Sequence, residues 1–136
     1  MAGDAPEDRP AVRLHDGPLP PTGPWSPAGC GAVLTFEGVV RAEEPDGAAA
    51  RPLAALRYEA YEPMTTRELA GLAAACAAEF GAALDVTHSV GQVPAGACSF
   101  RLRVATPHRA ASLACCAAFV NRMKRDVPLW KLPVWA

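Results

Sequence analysis

The two lysines of this chain are its most informative ionisable residues. Eleven arginines accompany them in the 136 residues, yet Lys124 and Lys131 lie only seven positions apart near the C-terminus. Arginine keeps its charge at any accessible pH, whereas the pKa of a lysine falls when it is desolvated, so lysine can exchange protons or attack carbonyls. The pair brackets Pro-Leu-Trp and indicates a site that uses amine chemistry. The simpler alternative is that Lys124 only stabilises the negative end of a helix dipole.

Three further residues could bind an anion. Arg41 ends a predicted strand at the edge of a loop, which suits a cation that contacts a ligand. His108 and Arg109 open a predicted helix, where free backbone N–H groups and the helix dipole favour an anion. Lys124 follows Arg109 by fifteen residues, about 22 Å at 1.5 Å per residue, so one chain need not place all five side chains around one ligand. A pocket shared across a dimer interface accounts for this separation.

The distribution of charge favours a small anionic ligand or an acidic partner surface. The formal net charge is −1, but residues 101–136 carry seven basic side chains and one acidic side chain. The sequence has no long basic run and no array of basic and aromatic residues, which disfavours nucleic acid as a partner. It also has no stretch of about 20 apolar residues and no signal peptide, so we expect neither a membrane span nor export.

The cysteines predict a cytoplasmic protein without a structural metal. They are five in number and show no Cys-x-x-Cys spacing, which argues against both a disulfide framework and a zinc site. Cys76, Cys115 and Cys116 lie in alanine-rich helical segments, where small buried thiols are common. We therefore expect no cofactor and no metal.

The first half of the chain predicts two strands after an irregular lead-in. Residues 1–28 contain seven prolines and no sustained period, which is typical of a mobile arm, with the folded domain over residues 29–136. Gly31–Arg41 is rich in β-branched and aromatic residues, and Leu53–Tyr61 alternates, so both segments are predicted strands. Between them, Ala42–Pro52 is predicted to be an acidic, mobile loop.

The second half predicts two helices and two strands. Thr65-x-x-Glu68 fits a capping box at the start of a helix that should end at Gly81. Two strands are predicted after this helix, over Leu84–Val90 and Cys98–Ala105, with a turn at residues 91–96 between them. The second helix is predicted over His108–Arg125. The last helix should face the core with Leu113, Cys116, Val120 and Met123. The order ββαββα with hairpin-length turns predicts an α+β domain with a mainly antiparallel sheet.

Two other side chains have two interpretations each. His88 lies on the apolar face of its predicted strand, so a core histidine with satisfied hydrogen bonds is favoured over a site residue. Trp130 could either form the wall of a pocket or fill the core.

Four motifs together resemble a known family. The segments FEGVVR, YEAYEPMT, PHRAA and MKRDVPLWK, in this order and at these separations, resemble the catalytic (large) subunit of molybdopterin synthase. The resemblance covers about Gly29 to Lys131, and its most specific part is the K-x-x-x-P-x-W-K block together with the upstream His-Arg. It implies an α+β hammerhead-type domain and a homodimer that binds two copies of a small ubiquitin-like subunit.

The resemblance also implies an activity and roles for the site residues. Members of this family are sulfurtransferases: sulfur passes from a thiocarboxylate on the small subunit's Gly-Gly tail to cyclic pyranopterin monophosphate, which builds the dithiolene of molybdopterin. By this resemblance, Arg41, His108 and Arg109 form the substrate-anion site, and Lys124 and Lys131 are the catalytic lysines beside the inserted tail. The partner supplies the sulfur, so no cysteine of this chain is required.

Two departures from the family pattern remove positive charge near the expected pocket. Ser89 follows His88 where the family usually has arginine, and the chain ends five residues after Lys131, where a basic tail is typical. Two alternatives stay open, and only the first of them follows from these losses. One is a non-catalytic anion- or pterin-binding paralogue on the same fold, and the other is a persulfide sulfurtransferase that uses Cys98 or Cys115.

Overall fold

The computed structural model describes residues 10–136, and within them the chain forms one seven-stranded sheet and two helices. The strands are β1 (Ala11–Asp16), β2 (Ala32–Val39), β3 (Glu43–Asp46), β4 (Ala49–Ala60), β5 (Ala83–Pro94), β6 (Cys98–Thr106) and β7 (Leu129–Trp135). The helices are α1 (Met64–Phe80) and α2 (Arg109–Asp126). Neither helix in this described part is long and apolar enough to cross a membrane.

The sheet confirms the predicted α+β fold with mainly antiparallel pairing. Its main path runs β2-β6-β5-β4-β3, and every neighbouring pair along it is antiparallel. Strand β7 adds to β4 in antiparallel orientation, and β1 adds to β5 in parallel orientation. The predicted order ββαββα is therefore present, with β1, β3 and β7 as strands that the sequence patterns did not indicate.

The core lies between the sheet and the two helices. On α1, Leu69 and Cys76 are fully buried, as predicted. On α2 the prediction that Leu113 faces the core is wrong, because its side chain is 56% exposed. The fully buried Phe119 lies on the side of α2 that meets the sheet. Residues spaced three or four positions along the helix from one another share that side and form a buried stripe, which does not include Leu113. That stripe contains Ser112, Cys115, Cys116, Phe119 and Met123.

The start of α1 differs from the predicted capping box. The helix begins after Pro63, so Thr65 lies inside the first turn and makes no cap. Its buried hydroxyl instead accepts the Tyr61 N–H (2.8 Å) and donates to the Pro128 carbonyl (2.6 Å). This hydroxyl thereby ties the start of α1 to the segment that leads into β7. The predicted end at Gly81 is confirmed, with φ +60° at that residue.

Two predicted loops are shorter than expected because their residues join strands. Residues 42–52 form a β-hairpin whose Asp46–Ala49 pair closes around Gly47, so the prediction of a mobile loop there is wrong. An Asp-Gly step is a common hairpin turn, since glycine adopts positive φ without strain. The turn predicted at residues 91–96 is also displaced. Strand β5 continues to Pro94 and includes Gly91. The positive φ of +78° and the collision that a Cβ would make with the Asp16 carboxylate both favour glycine at this position.

The proline-rich lead-in contains the strand β1, which the sequence did not predict, whereas residues 17–28 form neither helix nor strand, as predicted. Within it, β1 pairs with β5 along its whole length, while residues 1–9 lie outside the described part. Asp85 on β5 holds this strand in place: its carboxylate contacts Arg13 of β1 (2.8 Å) and Arg103 of β6 (2.7 Å). Arg103 also lies over the Trp25 ring, at 5.2 Å. These ion pairs hold the segment together with Val12 and Leu14, which alternate along β1 and pack against the core.

Removing the buried carboxylate should cost far more than removing one of its partners. Replacing Asp85 by alanine leaves Arg103, whose side chain is only 13% exposed, without its charge partner. Breaking a buried pair in this way typically costs about 3 kcal/mol or more. Arg13 is half-exposed, so Arg13→Ala should cost about 1 kcal/mol or less. Urea unfolding of both variants measures the difference, and equal losses would contradict the anchoring role of Asp85.

Candidate active site

One cavity of about 540 Å³ brings together three of the five predicted site residues. It lies where the end of β2, the last turns of α2, and strands β4 and β7 meet. Arg41, Lys124 and Lys131 all line it. Cations from three separate parts of the sequence thus surround one space, as a site for an anion requires.

Each of these side chains is positioned by a different element. Arg41 follows β2 directly after the buried Val40, whose N–H donates to the Ala97 carbonyl at 3.0 Å. Lys124 lies in the last turn of α2. Lys131, for which the sequence predicted no strand, lies within β7 opposite Tyr58 of β4. The ladder therefore holds Lys131 on the same face of the sheet as Tyr58, which also lines the cavity.

Aromatic side chains form the inner wall of the cavity. The His88 ring lies between Tyr58 (centroids 5.1 Å apart) and Phe100 (5.5 Å). Its Nδ1 lies 2.8 Å from the Ser89 carbonyl, which can only accept, so Nδ1 carries the proton. The Tyr58 hydroxyl donates to Ser99 Oγ at 3.0 Å. The prediction that His88 is a buried histidine with satisfied hydrogen bonds is confirmed, and its ring also lines the cavity.

A carboxylate lies among the cations. Glu44 of β3 contacts Arg41 Nη2 through Oε2 (2.6 Å) and Lys131 Nζ through Oε1 (3.3 Å). Burial raises the pKa of Glu44, but the hydrogen bonds and charges of Arg41 and Lys131 outweigh it and hold that pKa below its usual range. Within residues 10–136, the Lys124 ammonium has no hydrogen-bond or ion-pair partner. It is thus the cation of this cavity that faces the space without a protein counter-charge.

His108 and Arg109 do not belong to this cavity. His108 is the N-cap of α2 and Arg109 is its first residue, both exposed, at the opposite end of the helix from Lys124. Along the axis the separation from Arg109 to Lys124 is about 22 Å. A single chain therefore divides the predicted site residues into two groups, with three residues at one end of α2 and two at the other.

Ser89 has a structural reason to be small. Its side chain is fully buried, and its hydroxyl donates to the Gly17 carbonyl at 2.6 Å. The segment that follows β1 thus covers this position, and the structure leaves no room there for the arginine that the family pattern has. A serine fits at this position beneath the segment that follows β1.

The cysteines lie apart from the cavity lining. Cys115 is fully buried, and burial raises its pKa to about 12, so its thiol is protonated at neutral pH. Cys98 donates a weak hydrogen bond to the Phe100 carbonyl (3.3 Å), and burial raises its pKa as well. Neither residue has the low pKa of a reactive thiol, which disfavours a persulfide mechanism. Among the described residues, no group of three or more His, Cys, Asp or Glu side chains could hold a metal ion.

Trp130 neither fills the core nor lines the cavity. It is 58% exposed and contacts the Tyr61 ring, with centroids 6.3 Å apart. Both readings offered by the sequence are therefore wrong. Because side chains alternate along a strand, Trp130 of β7 points to the face opposite that of Lys131.

Comparison with known proteins identifies the family. A family model described as MoaE protein matches residues 22–126. The chain belongs to the MoaE family. The match begins after β1 and spans the elements that form the cavity up to the end of α2.

Named relatives and solved structures agree with this membership. Molybdopterin synthase catalytic subunits from Oryza sativa subsp. indica and Bacillus subtilis are 40% and 36% identical over 106 residues, which is 77% of this chain. The matched region is 53% of the rice relative and 65% of the bacterial one, so the chain spans about half to two thirds of their length. Molybdopterin synthase from Staphylococcus aureus superposes with a TM-score of 0.72 at 29% identity, over 80% of this chain and 77% of that one.

A further structure shares the fold alone. A complex of subunits 1 and 2 of molybdopterin-converting factor from Helicobacter pylori superposes with a TM-score of 0.71 at 20% identity. The alignment covers 91% of this chain and 84% of that chain, so it includes more of the N-terminal region than the family match does.

The buried imidazole predicts a specific dependence of stability on pH. Burial lowers the pKa of His88 below its unfolded value of about 6.5, so the unfolded chain binds the extra proton more readily. The stability associated with neutral His88 is present above about pH 6.5 and is lost as the pH falls below it. In His88→Phe, the free energy of unfolding should fall less between pH 7 and pH 5 than in the wild type.

The matched control is His108→Gln, which removes an exposed imidazole. Its profile of unfolding free energy against pH should follow that of the wild type. Parallel profiles for the wild type and His88→Phe would show that His88 titrates alike in both states, contrary to this prediction.

Proposed function

We propose that this chain is the catalytic subunit of a molybdopterin synthase. In this role it transfers sulfur from a thiocarboxylated small subunit to cyclic pyranopterin monophosphate. The observation that carries the proposal is the cavity in which Arg41, Lys124 and Lys131 meet, in a chain of the MoaE family. The named activity of the relatives supports it.

The residue types suit the two steps of such a transfer. First, the thiocarboxylate sulfur attacks a side-chain carbon of the substrate, and a carbon–oxygen bond of that carbon breaks. The displaced oxygen takes up a proton, and a thioester then joins substrate and partner. Water then attacks the thioester carbonyl and the acyl–sulfur bond breaks, so the partner departs as a carboxylate and the sulfur stays on the substrate. Both steps develop an oxyanion and move protons, which Lys124 and Lys131 would stabilise and transfer. Arg41, His108 and Arg109 would hold the phosphate and the pterin.

The lysines need a ligand to become desolvated. Both are exposed in the single chain, so their chemistry at neutral pH has to be induced. We propose that a small ubiquitin-like subunit inserts its C-terminal Gly-Gly tail beside them and excludes water. A Gly-Gly segment has no side chains, so it fits a narrow entrance. The Helicobacter pylori structure, described as a complex of two subunits, provides a precedent on the same fold.

A homodimer would reunite the two groups of cations. Strand β2 pairs only with β6 in the described sheet, so its other edge is free, and Val33, Phe36 and Val39 are exposed along it. The first residue of β2 lies beside the start of α2, because Gly31 N donates to the Pro107 carbonyl (3.2 Å). The last residue of β2 leads into Arg41.

Two copies paired antiparallel along this edge would therefore place the start of each α2 beside the other copy's cavity. The eight residues of β2 span about 24 Å at 3.4 Å per residue, close to the 22 Å between Arg109 and Lys124. A two-fold axis makes both sites equivalent. Each site would then hold Arg41, Lys124 and Lys131 of one copy together with His108 and Arg109 of its partner, within an assembly of two catalytic and two small subunits.

We further propose one folded domain that includes β1, instead of one that begins at residue 29, because β1 pairs with β5. The proposed compartment is the cytoplasm, where buried free thiols such as Cys76 and Cys115 stay reduced.

The direct test of function is conversion of cyclic pyranopterin monophosphate by this chain with a thiocarboxylated small subunit. Binding of the pterin without any conversion would favour the non-catalytic paralogue.

Charge-preserving substitutions should separate proton transfer from simple attraction. Lys124→Arg and Lys131→Arg keep the positive charge, but guanidinium stays protonated and is bulkier beside an inserted tail. Both variants should fold and bind the small subunit, yet lose at least about a hundredfold in turnover. The larger loss is expected for Lys124, which has no carboxylate partner among the described residues, whereas Lys131 contacts Glu44.

Arg125→Lys is the matched control for these variants. It also exchanges one cation for the other, next to Lys124, but its side chain is exposed and pairs with Asp126. Its turnover should equal that of the wild type. Near-normal turnover by Lys124→Arg would mean that positive charge alone matters at this position.

A further inference from the structure

The carboxylate of Glu44 has no role in the proposed reaction, yet it occupies the centre of the cation group. Its two oxygens contact one cation each, Arg41 at 2.6 Å and Lys131 at 3.3 Å. The Glu44 side chain is only 12% exposed, whereas those of Arg41 and Lys131 are 70% and 56% exposed. Glu44 therefore lies inside the cavity wall, with the two longer cations folded over it.

This arrangement is the one that an anionic ligand would make. A phosphate or carboxylate group bound between Arg41 and Lys131 would accept the same charge-assisted hydrogen bonds that Glu44 now accepts. Two anions cannot share these donors without repelling each other at short range. Any anion that binds here has to displace the Glu44 carboxylate.

The position of Glu44 in the fold makes such displacement feasible. Strand β3 has four residues, lies at the end of the main path of the sheet and pairs with β4 alone. The hairpin turns at Gly47, and its tip residues are exposed. A short edge hairpin of this kind can shift without disturbing the core, since local opening is easiest where few buried contacts hold a segment.

We infer that Glu44 is an internal competitor that occupies the anion site of the empty cavity and sets how strongly a ligand's anionic group must bind to displace it. This inference deepens the proposed function, on which it rests for the identity of the natural ligand. Because the carboxylate has to leave before any anion binds, Glu44 would weaken the binding of every anion by the same factor, so that only strongly binding groups such as a phosphate dianion occupy the site.

The test uses the full chain and inorganic phosphate as the probe, at constant ionic strength, with binding measured by isothermal titration calorimetry. Glu44→Gln keeps the shape of the side chain but removes the competing charge. It should bind phosphate at least about tenfold more tightly than the wild type, which is the scale of one charge-assisted contact. Acetate affinity should rise by the same factor as phosphate affinity, because the competitor reduces the population of the open site for both anions alike.

Glu43→Gln is the matched control, because it removes the same charge one residue earlier. Glu43 is exposed and makes no ion pair within residues 10–136, so its phosphate affinity should stay within about twofold of the wild type. Equal gains in both variants would reduce the effect to net charge and overturn the inference. Unchanged or weaker phosphate binding by Glu44→Gln, or no measurable binding by either protein, would also overturn it.

Two further variants keep the test decisive. If Glu44→Gln fails to fold, Glu44→Asp retains the charge on a side chain one methylene shorter, which should weaken its contacts with both cations and give an intermediate gain in phosphate affinity. No gain would count against the inference. In an Arg41→Ala background the gain from Glu44→Gln should shrink, because the two residues share one contact. Neither the small subunit nor a pterin is needed, so a failed competitor role and a failed sulfur-transfer function give separate results.

Discussion

The packing of α2 against the sheet is the constraint on which the site depends. Phe119, fully buried in the middle of the helix, fixes its rotation, and the helix then acts as a rigid spacer. One end carries Lys124 into the cavity, and the other end keeps Arg109 about 22 Å away. No side-chain movement bridges that distance. A reaction that needs both groups of cations therefore needs a second copy of the chain. The length of α2 sets this requirement, and the open edge of β2 is where the second copy would pair.

The electrostatics of the cavity divide its cations by task. Arg41 and Lys131 share the Glu44 carboxylate, whereas Lys124 has no such partner in residues 10–136. A cation that is already paired with a carboxylate is suited to exchanging that carboxylate for the anionic group of a ligand. An ammonium without one, held by a helix, is suited to meeting charge that develops during a reaction. The aromatic wall of Tyr58, His88 and Phe100 adds a polarisable surface but no net charge, because burial keeps His88 neutral at pH 7.

The sequence predicted the parts of the structure that repeat a local pattern. Composition rich in β-branched and aromatic residues predicted β2, apolar alternation predicted β4, β5 and β6, helical spacing predicted both helices, and Gly81 marked the end of α1. The grouping of Lys124 with Lys131 was also readable, from the scarcity of lysine. Elements fixed by distant partners were not readable. Strand β1 depends on its ladder with β5 and on the Asp85 ion pairs, and β7 depends on its ladder with β4, and these interactions with distant residues leave no local signal. Glu44 was hidden for the same reason, although Asp46-Gly47 does signal a hairpin.

The central claim is that each site combines residues from two copies, and mixing two inactive variants tests it most directly. Arg109→Ala and Lys124→Ala would each be impaired alone. In an exchanged equimolar mixture half of the dimers are mixed, and each of these has one site with both residues intact, so about a quarter of wild-type turnover should return. If Lys124 and Arg109 of the same chain served one site, every site in the mixture would lack one of them, and the absence of any recovery would contradict the account.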